Sequence, residues 1–393
     1  MTPAARLQAA IELVGEIAEA ARAGAAAADT LIARYFKTRR YAGSKDRRAV
    51  RELVFAAIRR SGEPPASGRA ALLGLARETP DLLPLFDGSP HGPMPLAESE
   101  PEAARSIAPR WLLDRFDPAL PAGELPALLE RAPLDVRVNR LKGGRDEAEA
   151  FLPEARPTPL SPLGLRLPEG FRVEESEAWR TGLVEIQDEG SQLICLACGA
   201  APGMLAVDLC AGAGGKTLAL AAEMGGEGRI LACDTDRARL SRMRPRLERA
   251  GATIAEARLL DPDRETPALA DFVGTADLVL VDAPCSGTGT WRRNPETRWR
   301  VTPERLERLT ALQARLLDLG ATLLRPGGQL VYAVCSLLAE EGRNQAEAHT
   351  LRSSLVPETL AMTAGREAGT GRLLSPGRDG TDGFFVARWR SAC

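Results

Sequence analysis

The C-terminal half of this chain predicts a doubly wound, mostly parallel α/β sheet, on three observations. Short apolar runs alternate with amphipathic stretches of helical spacing from residue 185 onward. One run ends in the Gly-rich turn Asp208-Leu-Cys-Ala-Gly-Ala-Gly-Gly-Lys-Thr217, which opens a helix. Two others end in cysteine-bearing segments, Asp282-Ala-Pro-Cys-Ser286 and Val331-Tyr-Ala-Val-Cys-Ser336. Open α/β sheets place their chemistry outside the carboxyl ends of the strands, so Cys285 and Cys335 are expected on the reactive edge.

The elements follow in order. Residues 4 to 60 carry Ala, Leu, Ile and Val at helical spacing. Ser61-Gly-Glu-Pro-Pro65 breaks the pattern, and Gly68 to Ala76 resumes it. Asp87 to Pro101 is polar, proline-rich and expected to be a surface loop. Helical character returns at Trp111 to Phe116 and at Glu124 to Arg131, so residues 1–131 are predicted to be an all-α domain. Leu134-Asp-Val-Arg-Val138 alternates like a strand and precedes a short helix, Asp146 to Leu152. Residues 132–184 are therefore predicted to be a small α+β module. In residues 185–393 the predicted strands are Leu205 to Asp208, Arg229 to Cys233, Ala257 to Leu260, Asp277 to Val281 and Gln329 to Ala333. Helices are predicted at Lys216 to Met224, Asp236 to Ala250 and Pro303 to Leu324, and a last strand, Gly383 to Trp389, antiparallel at the sheet edge.

Bulk properties exclude several classes. The 393 residues are 44% apolar and 26% charged, ordinary for a globular protein. No apolar run approaches the length of a membrane span, and Glu12, Glu16 and Glu19 interrupt the apolar N-terminus against a signal peptide. Seven cysteines in a chain of this length argue for reduced thiols in a cytosol rather than a disulfide framework. The net charge of -2 announces no nucleic-acid partner by itself. Two basic clusters stand out. Arg34 to Arg60 holds ten Lys/Arg against Asp46 and Glu52, and Arg292, Arg293, Arg298 and Arg300 interleave with Trp291 and Trp299.

The Gly-rich turn lets the backbone approach a ligand, and the helix start favours an anionic group such as a carboxylate. Asp234, ending the second strand, suits a ribose diol. That pair fits dinucleotides and S-adenosylmethionine alike. A P-loop would need glycine where Cys210 stands, and Cys195-x-x-Cys198 has no second ligand pair at zinc spacing. A strand-end thiol suits covalent chemistry on a pyrimidine. A thiolate adding at carbon 6 makes carbon 5 nucleophilic toward a methyl donor, then leaves by β-elimination. This needs no histidine, and His91 and His349 lie outside every motif.

Asp282-Ala-Pro-Cys-Ser-Gly-Thr-Gly289 with Arg292-Arg-Asn-Pro-Glu-Thr-Arg-Trp299 closely resembles motif IV of RNA (cytosine-5) methyltransferases of the Nol1/Nop2/Sun family. Tyr332-Ala-Val-Cys-Ser336 with Glu340, Glu341 and Asn344 resembles their motif VI. Cys210 to Thr217 resembles their S-adenosylmethionine loop, Gln187 to Gln192 the segment before it, and Asp382-Gly-Phe-Phe385 the closing strand. The likeness spans residues 109 to 390 and implies a Rossmann-like class I methyltransferase domain. It implies Cys335 as nucleophile, Cys285 as the group assisting release, and Asp282 near ring N3. It further implies a donor cradle of Cys210, Ala211, Gly212, Ala213, Gly214, Gly215 and Lys216, with Asp282 close by. Asp234 would hold the ribose, and Asp261, ahead of Asp263, would approach the adenine. Two positions depart from the pattern: Gly212-Ala213 replaces the usual Ala-Pro, and Val334 replaces the Thr before the nucleophile. The N-terminal helices resemble, more loosely, the NusB-like RNA-binding domain of the RsmB-like branch, which acts on 16S rRNA. Its basic cluster would hold phosphates or form a solvated helix face. Trp291 and Trp299 would stack on an unpaired base or pack in a core. The resemblance thus implies S-adenosylmethionine as cofactor and RNA, 16S rRNA first and tRNA or another rRNA site second, as partner. No metal, no membrane and a single copy of the chain are expected. Loss of activity in a NusB-like assembly factor is the contrasting reading, and a DNA cytosine methyltransferase would have no need of Cys335.

Overall fold

The computed structural model describes residues 1–392 and divides the chain into two compact units. The first comprises Met1–Phe116, Leu125–Glu130 and Ser286–Pro303, and the second Asp117–Glu124, Arg131–Cys285 and the chain from Glu304 onward.

The first unit is helical, as the periodicity predicts. Its helices are α1 (Pro3–Arg22), α2 (Ala28–Thr38), α3 (Ser44–Arg60) and α4 (Gly68–Glu78). Thr2 caps α1 through its side chain, with Pro3 in the first turn, and Ser67 caps α4. Leu7, Leu13, Val14 and Ile17 of α1 meet Leu31, Val50, Val54, Ile58 and Leu72 in one core, as heptad-like spacing on four helices requires. This helical region fits the NusB-like module. Glu124 to Arg131 differs from expectation in being a 3-10 segment, Ala122–Leu129, with Pro126 inside it.

Residues 286–303 belong to this unit although they follow the fourth strand of the large sheet in sequence. Trp299 lies in the helical core, and its indole N–H donates to the Ser61 carbonyl at 2.8 Å. Trp291 is fully buried with its ring edge-on to Phe116. Both tryptophans are therefore packing residues, and the base-stacking alternative is overturned by their burial. The arginines beside them are not a free basic surface either. Arg298 is fully buried and donates to the Ile58, Arg59, Ser61 and Ile107 carbonyls, while Arg300 donates to those of Ala25 and Ala26.

The second unit holds two sheets. The smaller comprises β1 (Leu134–Val138), β2 (Arg156–Pro157), β3 (Gly164–Leu167) and β4 (Val184–Ile186), antiparallel in the order β2-β3-β1-β4. The larger contains β5 (Leu205–Asp208), β6 (Arg229–Asp234), β7 (Ala255–Leu259), β8 (Ala276–Asp282) and β9 (Leu324–Val334), all parallel to their neighbours in this set. It continues antiparallel through β10 (Val356–Glu358), β11 (Arg366–Ala368), β12 (Gly371–Leu374) and β13 (Phe384–Arg390). The order is β11-β12-β13-β9-β8-β5-β6-β7, with β10 on β13. The last strand is antiparallel as expected but is not an edge. It pairs with β9, β12 and β10, because the chain between 353 and 383 adds strands outside it.

Candidate active site

β5 is the centre of the winding. The chain runs outward from β5 through β6 to β7, then returns to the other side of β5 for β8 and β9. That reversal is a topological switch point, where open α/β sheets bind ligands. The Gly-rich turn leaves β5 at this point.

The turn is held from several sides. Ala211 N–H donates to the Cys233 carbonyl at 2.8 Å, and Gly212 N–H to the Asp234 carboxylate at 2.8 Å. The other Asp234 oxygen accepts from Asp236 N–H at 2.7 Å. Gly214 adopts φ +86° as the N-cap of the Gly215–Glu223 helix, and a Cβ there would stand 2.6 Å from Met243 Cγ. Both conformation and space thus demand glycine. Asp208, the last residue of β5, is buried and accepts from Thr217 Oγ1 at 2.8 Å, tying the strand end to the helix; burial pushes its carboxyl up to about 7. Arg246, which sequence reasoning passed over, donates to the Ala213 carbonyl at 2.7 Å and pairs with Glu185 at 3.1 Å.

The turn fits the methionine and ribose parts of S-adenosylmethionine. Gly212 has φ +57°, and nothing lies within 4 Å of where its Cβ would be, leaving open space beside the backbone. Each Asp234 oxygen receives one backbone N–H, and an ionised carboxylate has about four acceptor positions, so capacity for a diol remains. Asp261 is exposed just past β7, next to the end of β6, where Leu260 N–H donates to the Asp234 carbonyl at 3.0 Å. Asp263, also exposed, is paired with Arg315 at 2.9 Å. Cys210 is half-buried in the turn, and burial holds its thiol well above the ordinary range.

The two cysteines of the strand ends come together. β8 and β9 pair in parallel with Asp282 opposite Ala333, so Cys285 and Cys335 leave adjacent strand ends. Their sulfurs lie 3.3 Å apart without a disulfide between them, each residue partly exposed. Lys216, from the first turn of the helix after the Gly loop, reaches Asp282 with Nζ 2.6 Å from Oδ2. Burial opposes the ammonium charge, but Asp282, Cys195 and Cys335 favour it, and Lys216 is held above the ordinary lysine value. One cation thereby joins the donor loop to the motif aspartate.

Behind the cysteines a buried polar chain ties the two loops to each other. Glu341 accepts from Ser336 Oγ at 2.5 Å and from Gln313 Nε2 at 3.0 Å; Gln313 Nε2 also donates to the Pro284 carbonyl at 2.9 Å. Ser336 follows Cys335 and Pro284 precedes Cys285, so Gln313 and Glu341 fix the separation of the thiols. Gln313 carries no motif signal, lying mid-helix in Pro303–Leu323.

A family model for the 16S rRNA methyltransferases RsmB/F matches residues 199–390. The small-subunit ribosomal RNA methyltransferase B of Enterobacter sp. is 35% identical over 303 residues, covering 75% of this chain and 68% of that protein. The chain belongs to the RsmB/F family. The protein of the same name from Salmonella typhi is 35% identical over 294 residues, 72% of this chain, and the match spans 66% of its length, slightly under two thirds. The crystal structure of PH0851 shares the fold with TM-score 0.76 at 22% identity, covering 99% of both chains. The Rossmann-like methyltransferase architecture is thus that of an S-adenosylmethionine-dependent RNA methyltransferase family.

Other motifs of this RsmB/F member are structural. In Gln187 to Gln192, Asp188 caps the Glu189–Ala197 helix and accepts from Asp382 N–H at 3.1 Å, joining the segment before the loop to the closing strand. Glu189 is buried and accepts from Leu160 and Ser161 N–H at 2.6 and 2.7 Å. Cys195 and Cys198 are buried in the same stretch, and burial raises the Cys195 thiol to about 11. Val334, which replaces the family's Thr, is buried at the end of β9, in register with Phe385 of β13.

Proposed function

We propose that this chain transfers a methyl group from S-adenosylmethionine to carbon 5 of a cytosine in 16S rRNA. The observation that carries this is the pair of cysteine sulfurs 3.3 Å apart at neighbouring strand ends, close in sequence to an aspartate that pairs with Lys216 of the donor loop. The Gly-rich turn and Asp234 hold the donor, which supplies an electrophilic methyl group when bound. Cys335 Sγ adds as thiolate to ring carbon 6, forming the S–C bond as the carbon 5–carbon 6 π bond opens and N3 takes a proton from water. The Asp282 carboxylate accepts the N3–H hydrogen bond and stabilises that protonated adduct. Carbon 5 would then take the methyl group and afterwards give up its proton to water acting as base. The ring electrons expel Cys335 by β-elimination as N3 releases its proton, and Cys285 assists this step. Such chemistry requires the cytosine to be unpaired or flipped out of its helix. The helical unit would hold the RNA, and the protein would act as a monomer in the cytosol.

Incubation with methyl-labelled S-adenosylmethionine and small-subunit rRNA, followed by nucleoside digestion, tests the reading. Label in 5-methylcytosine is expected. Label only in tRNA or in another rRNA would transfer the reading to that substrate, and no transfer to any RNA would refute it in favour of an assembly factor. Lys216→Met is expected to lower single-turnover methyl transfer by about 10²–10³-fold, the usual cost of removing a preorganised electrostatic group. Lys216→Arg, which keeps the charge, should retain more activity than Lys216→Met. Equal loss in both would show that length rather than charge matters.

A further inference from the structure

We propose that the turn joining α2 to α3 is a stacking platform for an unpaired RNA base, with Tyr41 as the stacking ring and Lys37, Arg40, Lys45 and Arg48 as phosphate contacts. This rests on the RNA-methyltransferase reading above and adds a binding site that the catalytic residues do not include.

The tryptophans that looked like stacking residues are buried, whereas Tyr41 is 73% exposed. It sits in the connection between α2 and α3, where Ala42 N–H closes a turn on the Arg39 carbonyl at 3.1 Å. Lys37 occupies the last turn of α2 and Lys45 the first turn of α3. Arg48 lies three residues beyond Lys45, on the same helix face. All four cations are exposed.

The structure also sorts eight of the ten basic residues of the run into two groups. Arg34, Arg39, Arg51 and Arg60 are paired with Glu16, Glu12, Asp29 and Glu78. Lys37, Arg40, Lys45 and Arg48 have no carboxylate partner among the described residues, so their charge is available to a ligand. The one acid inside the turn region, Asp46, is buried and already engaged by the N-terminal ammonium at 3.2 Å, Arg6 at 2.8 Å and Gly43 N–H at 3.2 Å. The positive end of the 17-residue α3 points the same way in sign.

A ring flanked by unpaired cations matches the chemistry of single-stranded nucleic acid: bases stack on the aromatic face while Lys and Arg follow the backbone. A duplex keeps its bases stacked and offers the ring no partner. Duplex RNA should therefore use the cations alone.

The test measures fluorescence anisotropy of a short fluorescein-labelled single-stranded RNA and of the same sequence as a duplex, with the full chain. Tyr41→Ala is expected to weaken single-strand binding about tenfold, with Tyr41→Phe close to the parent and duplex affinity unchanged. The double variant Lys45→Ala, Arg48→Ala should weaken both RNAs and lower the salt dependence of binding by roughly one to two contacts. Circular dichroism of each variant monitors the fold, which an exposed ring is not needed to maintain. Unchanged single-strand affinity in Tyr41→Ala, or equal losses for both RNAs, would overturn the platform. If the parent methylates RNA and Tyr41→Ala binds normally, only this inference fails; if the parent binds no RNA, the functional reading fails with it.

Discussion

Cys335→Ala is expected to abolish methyl transfer, by at least about 10³-fold, and Cys285→Ala to accumulate a covalent protein–RNA adduct instead. The two outcomes should differ although the sulfurs are 3.3 Å apart, because in the proposed cycle the thiols would act in opposite halves. Without the Cys335 sulfur nothing adds to carbon 6, carbon 5 stays a poor nucleophile, and donor binding alone gives no reaction. The scale matches the loss of a nucleophile in other covalent catalysts, where the residual rate comes from binding and electrostatics. Without the Cys285 sulfur, addition and methylation proceed and release stalls, so the adduct survives denaturing electrophoresis. Serine replacements would not rescue, since a hydroxyl is far less ionised than a thiol. Full activity in Cys335→Ala, or an adduct in Cys335→Ala rather than in Cys285→Ala, would reverse the assignment.

The second large effect is on stability and lies away from the thiols. Arg298→Met is expected to destabilise the helical unit by about 3 kcal/mol, read as a lowered denaturant midpoint. The guanidinium serves four carbonyls, three of them at or just past the C-terminal end of α3, and it is fully buried. Methionine fills similar volume but donates nothing, leaving buried carbonyls short of partners at about 1–3 kcal/mol each. The cost is partly offset, because burial already depresses the guanidinium to about 9 and its desolvation is relieved on removal. Residue 286, the start of this segment, directly follows Cys285. Methyl transfer should therefore fall in Arg298→Met even below the unfolding transition, whereas an unchanged rate would show the segment to be a passive anchor.

Local patterns carried much of the fold. Alternation of apolar runs with helical spacing gave the parallel core of the sheet, since strand and helix periods differ and each is visible over a few residues. The Gly-rich turn was legible because steric demands at Gly214 are set by its own backbone and one neighbour, Met243. The outer strands were not, because β10 to β12 are three or four residues long and take their place only by pairing, β10 and β12 with β13 and β11 with β12. The second basic cluster misled for a related reason. Arg298 and Trp299 resemble a nucleic-acid surface in composition, and only distant carbonyls on α3 and residue 107 make them core.

The sequence by itself determined which groups exist for chemistry and which strand ends bear them: two cysteines, an aspartate and a glycine turn, each specified by a few adjacent residues. Only the tertiary structure decided how they are combined. The thiol separation depends on the register of β8 against β9 and on Gln313 and Glu341 from separate helical and loop segments. The Lys216–Asp282 pair joins residues 66 positions apart. Burial likewise turned Trp291 and Trp299 into packing residues and left Tyr41 exposed. Strand propensity and turn sterics act between neighbours along the chain, whereas register, ion pairing and burial are set by segments that meet only once the chain is folded.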